Sequence, residues 1–184
     1  MKNCPQTNTQ SVYEHCLSVK DHLHDLLSLM NGVEPRYIWK LPEWILQDKI
    51  LIVSKLLPVD VLLQYAEWHD CGKPFCRVVD EQGKQHFPNH AEVSERVWRA
   101  AGGDEQTGKL IRLDMEIHTI KAVQVPEFAA RAEAISLLLT GLAEVHSNAR
   151  MFGGVDSTSF KIKYNQIEKR GRAILALLRQ IHDK

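Results

Sequence analysis

From Val12 onward, apolar residues recur at helical spacing. Val12, Cys16, Val19, Leu23, Leu26, Leu27 and Met30 form one stripe. Asn31-Gly32 stops it, because both residues tolerate the left-handed conformation that ends helices. A connector over 34–42 carries Tyr37 and Trp39. Pro42 stands near the start of a second helix, expected to run to about Leu57. Pro58 opens a third, from Val59 to about His69, apolar on most sides through Val61, Leu62, Leu63, Tyr65, Ala66 and Trp68. The pattern fails over 71–89, where Gly72, Pro74, Gly83 and Pro88 punctuate the chain. Arg77-Val78-Val79 and Lys84-Gln85-His86-Phe87 flank a turn and read as a small hairpin. Helical spacing returns from His90 to Ala101, from an N-cap at Asp104 to about Val123, from Pro126 to about Ala149, and from Phe160 to Ile181 after Ser157-Thr158-Ser159. These elements predict an all-α bundle with one irregular insertion. A single domain is expected over 1–184, with a frayed polar stretch at 1–10 and a C-terminal helix over 160–184.

Composition narrows the class without naming it. A chain of 184 residues with 44% hydrophobic and 25% charged residues has the balance of a globular domain. Lys plus Arg total 23 and Asp plus Glu total 23, so no global charge draws the chain to duplex nucleic acid or an anionic membrane. The four cysteines, at 4, 16, 71 and 76, include no CxxC pair. The start, Met1-Lys2-Asn3-Cys4-Pro5-Gln6, lacks an apolar run, and no stretch approaches the ~18 apolar residues of a membrane span. A cytoplasmic protein with reduced thiols and no membrane partner is the expectation.

The nine histidines change the picture. His69-Asp70 closes an apolar helix and runs directly into Cys71-Gly72-Lys73-Pro74. Neighbouring side chains on a helix point about 100° apart, so such a pair shares one metal best where the helix breaks. A neutral imidazole and a carboxylate together suit manganese, iron, zinc or nickel. A lone His-Asp pair is ordinarily a hydrogen-bonded core pair. However, His15 lies on the apolar face of the first helix, His90 opens the helix after the insertion, and His118 stands one turn beyond Asp114. Four histidines in or beside apolar segments of different helices would cost free energy if left unpaired, and a shared metal removes that cost.

The order His15, His69-Asp70, His90, His118 and a late acidic residue resembles the ligand pattern of HD-domain metal-dependent phosphohydrolases. The segment from His69-Asp70-Cys71-Gly72-Lys73-Pro74 through Gly83, Phe87 and His90 is also similar to the HD modules of bacterial tRNA nucleotidyltransferases and of RNA-repair polynucleotide kinases. The resemblance covers about residues 11–150 and implies an HD-domain helical bundle holding two divalent metals (Mn, Fe, Ni, Zn or Mg). By it, Asp70 bridges and acts catalytically. His15, His69 and the late acid hold one metal, and His90 and His118 the other. The family's last ligand is an Asp; here Glu144 falls at that place, with His146 as competitor.

The activity so implied is attack of a metal-bridging hydroxide on phosphorus. The substrate would be a phosphomonoester or 2′,3′-cyclic phosphodiester of a nucleotide or RNA end. A nucleotidase or nucleoside polyphosphate hydrolase is the near alternative, and an inactive metal-containing nucleotide- or RNA-binding module is the alternative of another class. Lys73 is placed to neutralise a phosphate oxygen, and Asp114 to orient His118 or touch substrate. Lys161 and Lys163, in a locally basic stretch, are candidates for a polyphosphate or RNA contact, against a solvated helix face.

Overall fold

The computed structural model describes residues 1–7 and 9–182. Its architecture is all-α with one two-stranded hairpin. Helix α1 (Val12–Met30) starts at a capping box in which the Ser11 hydroxyl accepts from Glu14 N and the Glu14 carboxylate accepts from Ser11 N. It ends at Asn31, with Gly32 in the left-handed region at φ 85°. Helix α4 (Val59–Trp68) stops one residue before His69. A single turn, α5 (Lys73–Cys76), precedes the hairpin β1 (Val78–Val79) and β2 (Gln85–His86), paired antiparallel as the sequence predicts. Helix α6 (His90–Ala100) follows, and α11 (Thr158–His182) closes the chain behind Ser157, whose hydroxyl accepts from Phe160 N. Residues 183–184 of the expected last helix lie outside the described residues.

Three expected helices are each divided. The second becomes α2 (Trp44–Gln47) and α3 (Lys49–Lys55), parted at Asp48, whose buried carboxylate accepts from Arg179 Nη1 at 2.8 and 2.9 Å. The next becomes α7 (Glu105–Leu113) and α8 (Glu116–Thr119), parted at the buried Asp114. The helix expected from Pro126 becomes α9 (Val125–Ala129) and α10 (Ala134–Ser147), parted just before the buried Glu133, which pairs with Lys109 at 2.7 Å. Each break stands beside a buried carboxylate whose partner (Arg179, Tyr65 or Lys109) is distant in sequence, which local helix propensity cannot register.

Helix α10 is the axis of the fold. Every residue from Ala134 to Ala143 is buried, so it is covered on all sides. It packs against α1 and α11, while α4 fills the other flank of α1. Helices α1 and α10 run parallel: His15 faces Glu144, and one turn further along both helices the Ser147 hydroxyl donates to Ser18 Oγ at 2.8 Å. The main core gathers Leu23, Leu26, Ile52, Leu62, Tyr65, Leu110, Phe128, Leu138 and Leu142 between these helices.

Two local devices carry the metal-ligating types of residue toward one another. Gly72 lies against α6 so closely that a Cβ there would stand 2.3 Å from Ser94 N, and Gly72 N donates to Ser94 Oγ at 2.9 Å. The absence of a side chain thus seats α6, which begins at His90, beside the end of α4. The second device is the polar N-terminal segment. Expected to fray, it instead folds back: Cys4 is buried with Val12 and Cys16, and Pro5 bridges to Ser11.

Candidate metal centre

His69 and Asp70 follow α4 where its ladder gives way to tight turns, with Cys71 N donating to Trp68 O and Lys73 N to Asp70 O, both at 3.0 Å. The break lets the two neighbouring side chains converge, with His69 Nε2 3.3 Å from Asp70 Oδ2. His69 Nδ1 lies 2.9 Å from Ala66 O, and His90 Nδ1 3.1 Å from Phe87 O. A carbonyl oxygen only accepts, so Nδ1 carries a proton in each ring and Nε2 is the nitrogen turned toward the centre. His90 gains this position from Asn89, held in the left-handed region at φ 52° just before α6.

Asp70 is the hub. Its Oδ2 lies 3.6 Å from His15 Nε2, and its Oδ1 lies 3.7 Å from His90 Nε2. Glu144 extends the cluster: its Oε1 is 3.8 Å from His15 Nε2, and its Oε2 is 2.9 Å from His118 Nε2. The six residues expected as ligands thus form one chain of contacts, from His118 through Glu144 and His15 to Asp70, His69 and His90, drawn from α1, the end of α4, α6, α8 and α10. The tightest group is His15, His69 and Asp70, whose ligand atoms all lie within 4.8 Å of one another.

The burial of this group is what gives it chemical meaning. Both ring nitrogens of His15, His69 Nε2 and Asp70 Oδ2 are buried without a hydrogen bond. Buried polar atoms left in this state cost of order 1–3 kcal/mol each. Burial pushes the His15 pKa down to about 4, with the neighbouring His69 acting the same way, so His15 is neutral at pH 7 and free to ligate. Burial opposes charge on Asp70 as well, but His69 and Lys73 outweigh it and hold the carboxyl well below its ordinary range. Burial likewise opposes the charge on Glu144, and His118 overcomes it. Imidazole nitrogens and ionised oxygens are the donor set a divalent first-row cation takes, the cation replacing the proton that Asp70 favours on His69, so the buried His15-His69-Asp70 group could hold a metal.

The other expected residues sort differently. Lys73 belongs to the centre: it is buried, with Nζ 2.6 Å from Asp70 Oδ2, though aligned for no hydrogen bond with that oxygen, and it donates instead to Gln6 Oε1 at 3.1 Å. His146 does not compete with Glu144. Its Nδ1 donates to Leu142 O at 2.9 Å and its Nε2 accepts from Lys40 N at 3.1 Å, so both nitrogens are engaged away from Asp70. Asp114 does not reach a substrate surface. It is 4% exposed, accepts from the Tyr65 hydroxyl at 2.5 Å, and forms no hydrogen bond with His118 among the described residues. Lys161 and Lys163 are exposed at the start of α11, and among the described residues no ion pair or hydrogen bond ties them to the cluster.

Gly141 is a functional position that the sequence reading passes over. It sits one turn before Glu144 on α10, and a Cβ there would stand 2.9 Å from Ile117 Cγ2 and 3.5 Å from His118 Nε2. The bare backbone lets α8 lie close enough for His118 to meet Glu144. The signal was available: a glycine inside an otherwise strong helical pattern costs about 1 kcal/mol against alanine, and so asks for a packing reason.

Comparison with family models, with curated proteins and with solved structures finds no match to this chain. The functional reading therefore rests on the residues and their geometry.

Proposed function

We propose that the chain is a metal-dependent phosphohydrolase acting on a phosphomonoester or 2′,3′-cyclic phosphodiester of a nucleotide or RNA end. The observation that carries this reading is the gathering of His15, His69 and His90 around Asp70, extended through His15 to Glu144 and His118, with ring nitrogens and a carboxylate oxygen buried and without a hydrogen bond. Asp70 offers one oxygen to the His15-His69 side and the other to the His90 side, an arrangement that supports a bridging role between two cations. Divalent cations bound there would supply Lewis acidity and lower the pKa of water at neutral pH.

The remaining work falls to the chain itself. His15 and His69 form a closed inner wall, at 0% and 2% side-chain exposure, whereas His90, His118 and Glu144 are 17–22% exposed and line the mouth. A phosphate group enters from that side. Lys73 supplies a fixed positive charge at the rim of Asp70, suited to an equatorial phosphoryl oxygen as negative charge grows in the transition state. The Ala66 and Phe87 carbonyls hold His69 and His90 in one tautomer, so no ring must turn when the centre is loaded.

One observation favours a second reading, a single-metal module that binds nucleotide or RNA without turnover. Among the described residues only His15, His69 and Asp70 form a tight donor group, and Lys73 already stands on the shared oxygen Asp70 Oδ2. The two readings part on stoichiometry and turnover. The experiment is metal analysis of the purified chain, followed by assay of the Mn²⁺-reconstituted protein on nucleoside monophosphates, triphosphates and cyclic phosphates. The hydrolase reading expects about two metals per chain, hydrolysis of at least one class, and a fall to about one metal in His90→Ala or His118→Ala. One metal, nucleotide binding and no turnover across the panel would establish the module.

A further inference from the structure

The seam between α1 and α10 does not end at the metal-ligating residues. Ser18 and Ser147, joined by their hydroxyls, lie one turn beyond His15 and Glu144. They line two adjoining cavities of about 540 and 600 Å³, which also share Arg150. The smaller is walled by Thr7, Thr9 and Gln10 of the N-terminal segment, next to the Gln6 that binds Lys73. The larger continues along α1 to His22 and to Tyr37 and Ile38 of the connector. From His15 to His22 the helix advances about 10 Å.

The far end of this groove is built for a flat group. His22 and Tyr37 stack at 3.9 Å between centroids, 13° from parallel. His22 is fixed by Nδ1 bonding to Ser18 O at 2.8 Å, and the Arg36 guanidinium lies over the Tyr37 ring at 5.6 Å. Arg36 is itself held by Asp25 and the Asp21 carbonyl, yet 58% of its side chain is exposed. His22, Tyr37 and the exposed Arg36 guanidinium thus gather three planar groups at the end of the groove, the kinds of group on which proteins receive an unstacked base. Between stack and metal-ligating residues the polar lining is the Ser18 and Ser147 hydroxyls and the Arg150 guanidinium, with the Glu14 and Asp156 carboxylates at its margins and apolar Val155 and Met151 beside them, a mixed surface suited to a ribose.

We infer that this groove is a nucleoside-binding track, holding the base and sugar of a nucleotide whose terminal phosphate lies at the Asp70 cluster. The inference rests on the proposed hydrolase reading for where the phosphate sits, and it adds what that reading lacks: a reason for the substrate to be a nucleotide. Inorganic or simple aryl phosphates would leave both cavities empty.

The test measures binding without relying on turnover. The metal-loaded full chain is titrated by calorimetry with the phosphonate analogue of adenosine 5′-monophosphate, in which a methylene replaces the scissile ester oxygen, and separately with methylphosphonate. The wild type should bind the nucleoside phosphonate at least ~10-fold more tightly. Tyr37→Ala and Arg150→Glu should each erase about 10-fold of that preference, with metal content and methylphosphonate binding unchanged. Arg150 is exposed and among the described residues makes no side-chain hydrogen bond, so its variant keeps the test valid if Tyr37→Ala unfolds. No preference in the wild type, or wild-type preference in Arg150→Glu, overturns the track. Preference lost in the variants of a chain that hydrolyses no phosphate ester supports the track and refutes the hydrolase. Hydrolysis of an aryl phosphate with no nucleoside preference does the reverse.

Discussion

Lys73 Nζ stands 2.6 Å from Asp70 Oδ2, three residues on in the chain and on the same oxygen that faces His15 and His69. Both partners are buried, and burial alone would push the lysine toward neutrality; Asp70 overcomes it and keeps the ammonium charged. The pair therefore holds a fixed positive charge at the place where a phosphoryl oxygen would develop negative charge. Lys73→Met should cut turnover by roughly 100-fold while metal per chain stays the same or rises, because a cation at the rim of the ligand set is gone. Asp70→Asn should lose both metal and turnover, and unfold with ~3 kcal/mol less stability as Lys73 is left buried without its counter-charge. Metal analysis, turnover and urea titration check both. Loss of metal in Lys73→Met would make Lys73 a structural residue.

Glu144 and His146 are separated by two positions on α10, and their ring and carboxylate contacts point them to opposite tasks. Glu144→Gln should lower metal affinity by at least ~10-fold, since a neutral amide is a weak ligand for a hard cation, while Glu144→Asp retains part of it. His146→Ala should keep its metal but lose ~2–3 kcal/mol of stability, having emptied a site packed between Trp39 and Phe160 and orphaned Lys40 N. The reverse pattern in metal analysis would exchange their roles.

Gly141→Ala offers a test in which two effects oppose each other. A mid-helix glycine replaced by alanine ordinarily gains about 1 kcal/mol. Here the new methyl meets Ile117 at 2.9 Å and lies beside the His118 ring. The expected result is little net change in unfolding free energy, with a drop in metal content from displacement of His118. A variant that is stabilised and fully loaded would show that α8 yields without cost.

Acid should weaken the fold through His146. Burial depresses its pKa to about 4, against an ordinary 6.5. The unfolded chain then binds the extra proton between those values, so the contribution is whole above pH 6.5 and is lost as pH falls toward 4. The slope is ~1.4 kcal/mol per pH unit for one proton, to a limit of ~3 kcal/mol. His69 and His118 act in the opposite sense, since their carboxylate neighbours raise their pKa values against the effect of burial. The His146 share is therefore read as a difference: between pH 6.5 and 4, the stability of His146→Phe should fall less steeply than wild type by one proton's slope. Equal slopes in urea titrations across that range would refute the assignment.

What the sequence made legible was local. The stripe from Val12 to Met30, the N-cap at Asp104 and the hairpin over 77–87 depend on neighbours within a few residues, and all three are present. The breaks at Asp48, Asp114 and Glu133 depend on Arg179, Tyr65 and Lys109, partners that become neighbours only in the folded chain. The same division governs the candidate site. Histidines on apolar faces could be read as a set, because burial of imidazole has a cost that one sequence exposes. Asp114 and the basic start of α11 were read from charge and spacing, which do not tell a buried hydrogen-bonded carboxylate or a solvated lysine from a ligand contact. The choice between Glu144 and His146 needed the Lys40 backbone, more than a hundred residues away.

The segment before α1 ties distant parts of the molecule to the centre with few atoms. Gln6 receives Lys73 on its side-chain oxygen and the Gln85 amide of the hairpin, at 2.9 Å, on its backbone carbonyl. One residue thus fastens Lys73 and the hairpin to the segment before α1, and Thr7 and Gln10 go on to wall the smaller cavity. A tag or trimming at the amino terminus is therefore no neutral convenience here. Protein begun at Ser11 would keep every metal-ligating type of residue and the helices themselves, yet lack the clasp that holds Lys73, so an assay of such a protein would not test the proposed hydrolysis.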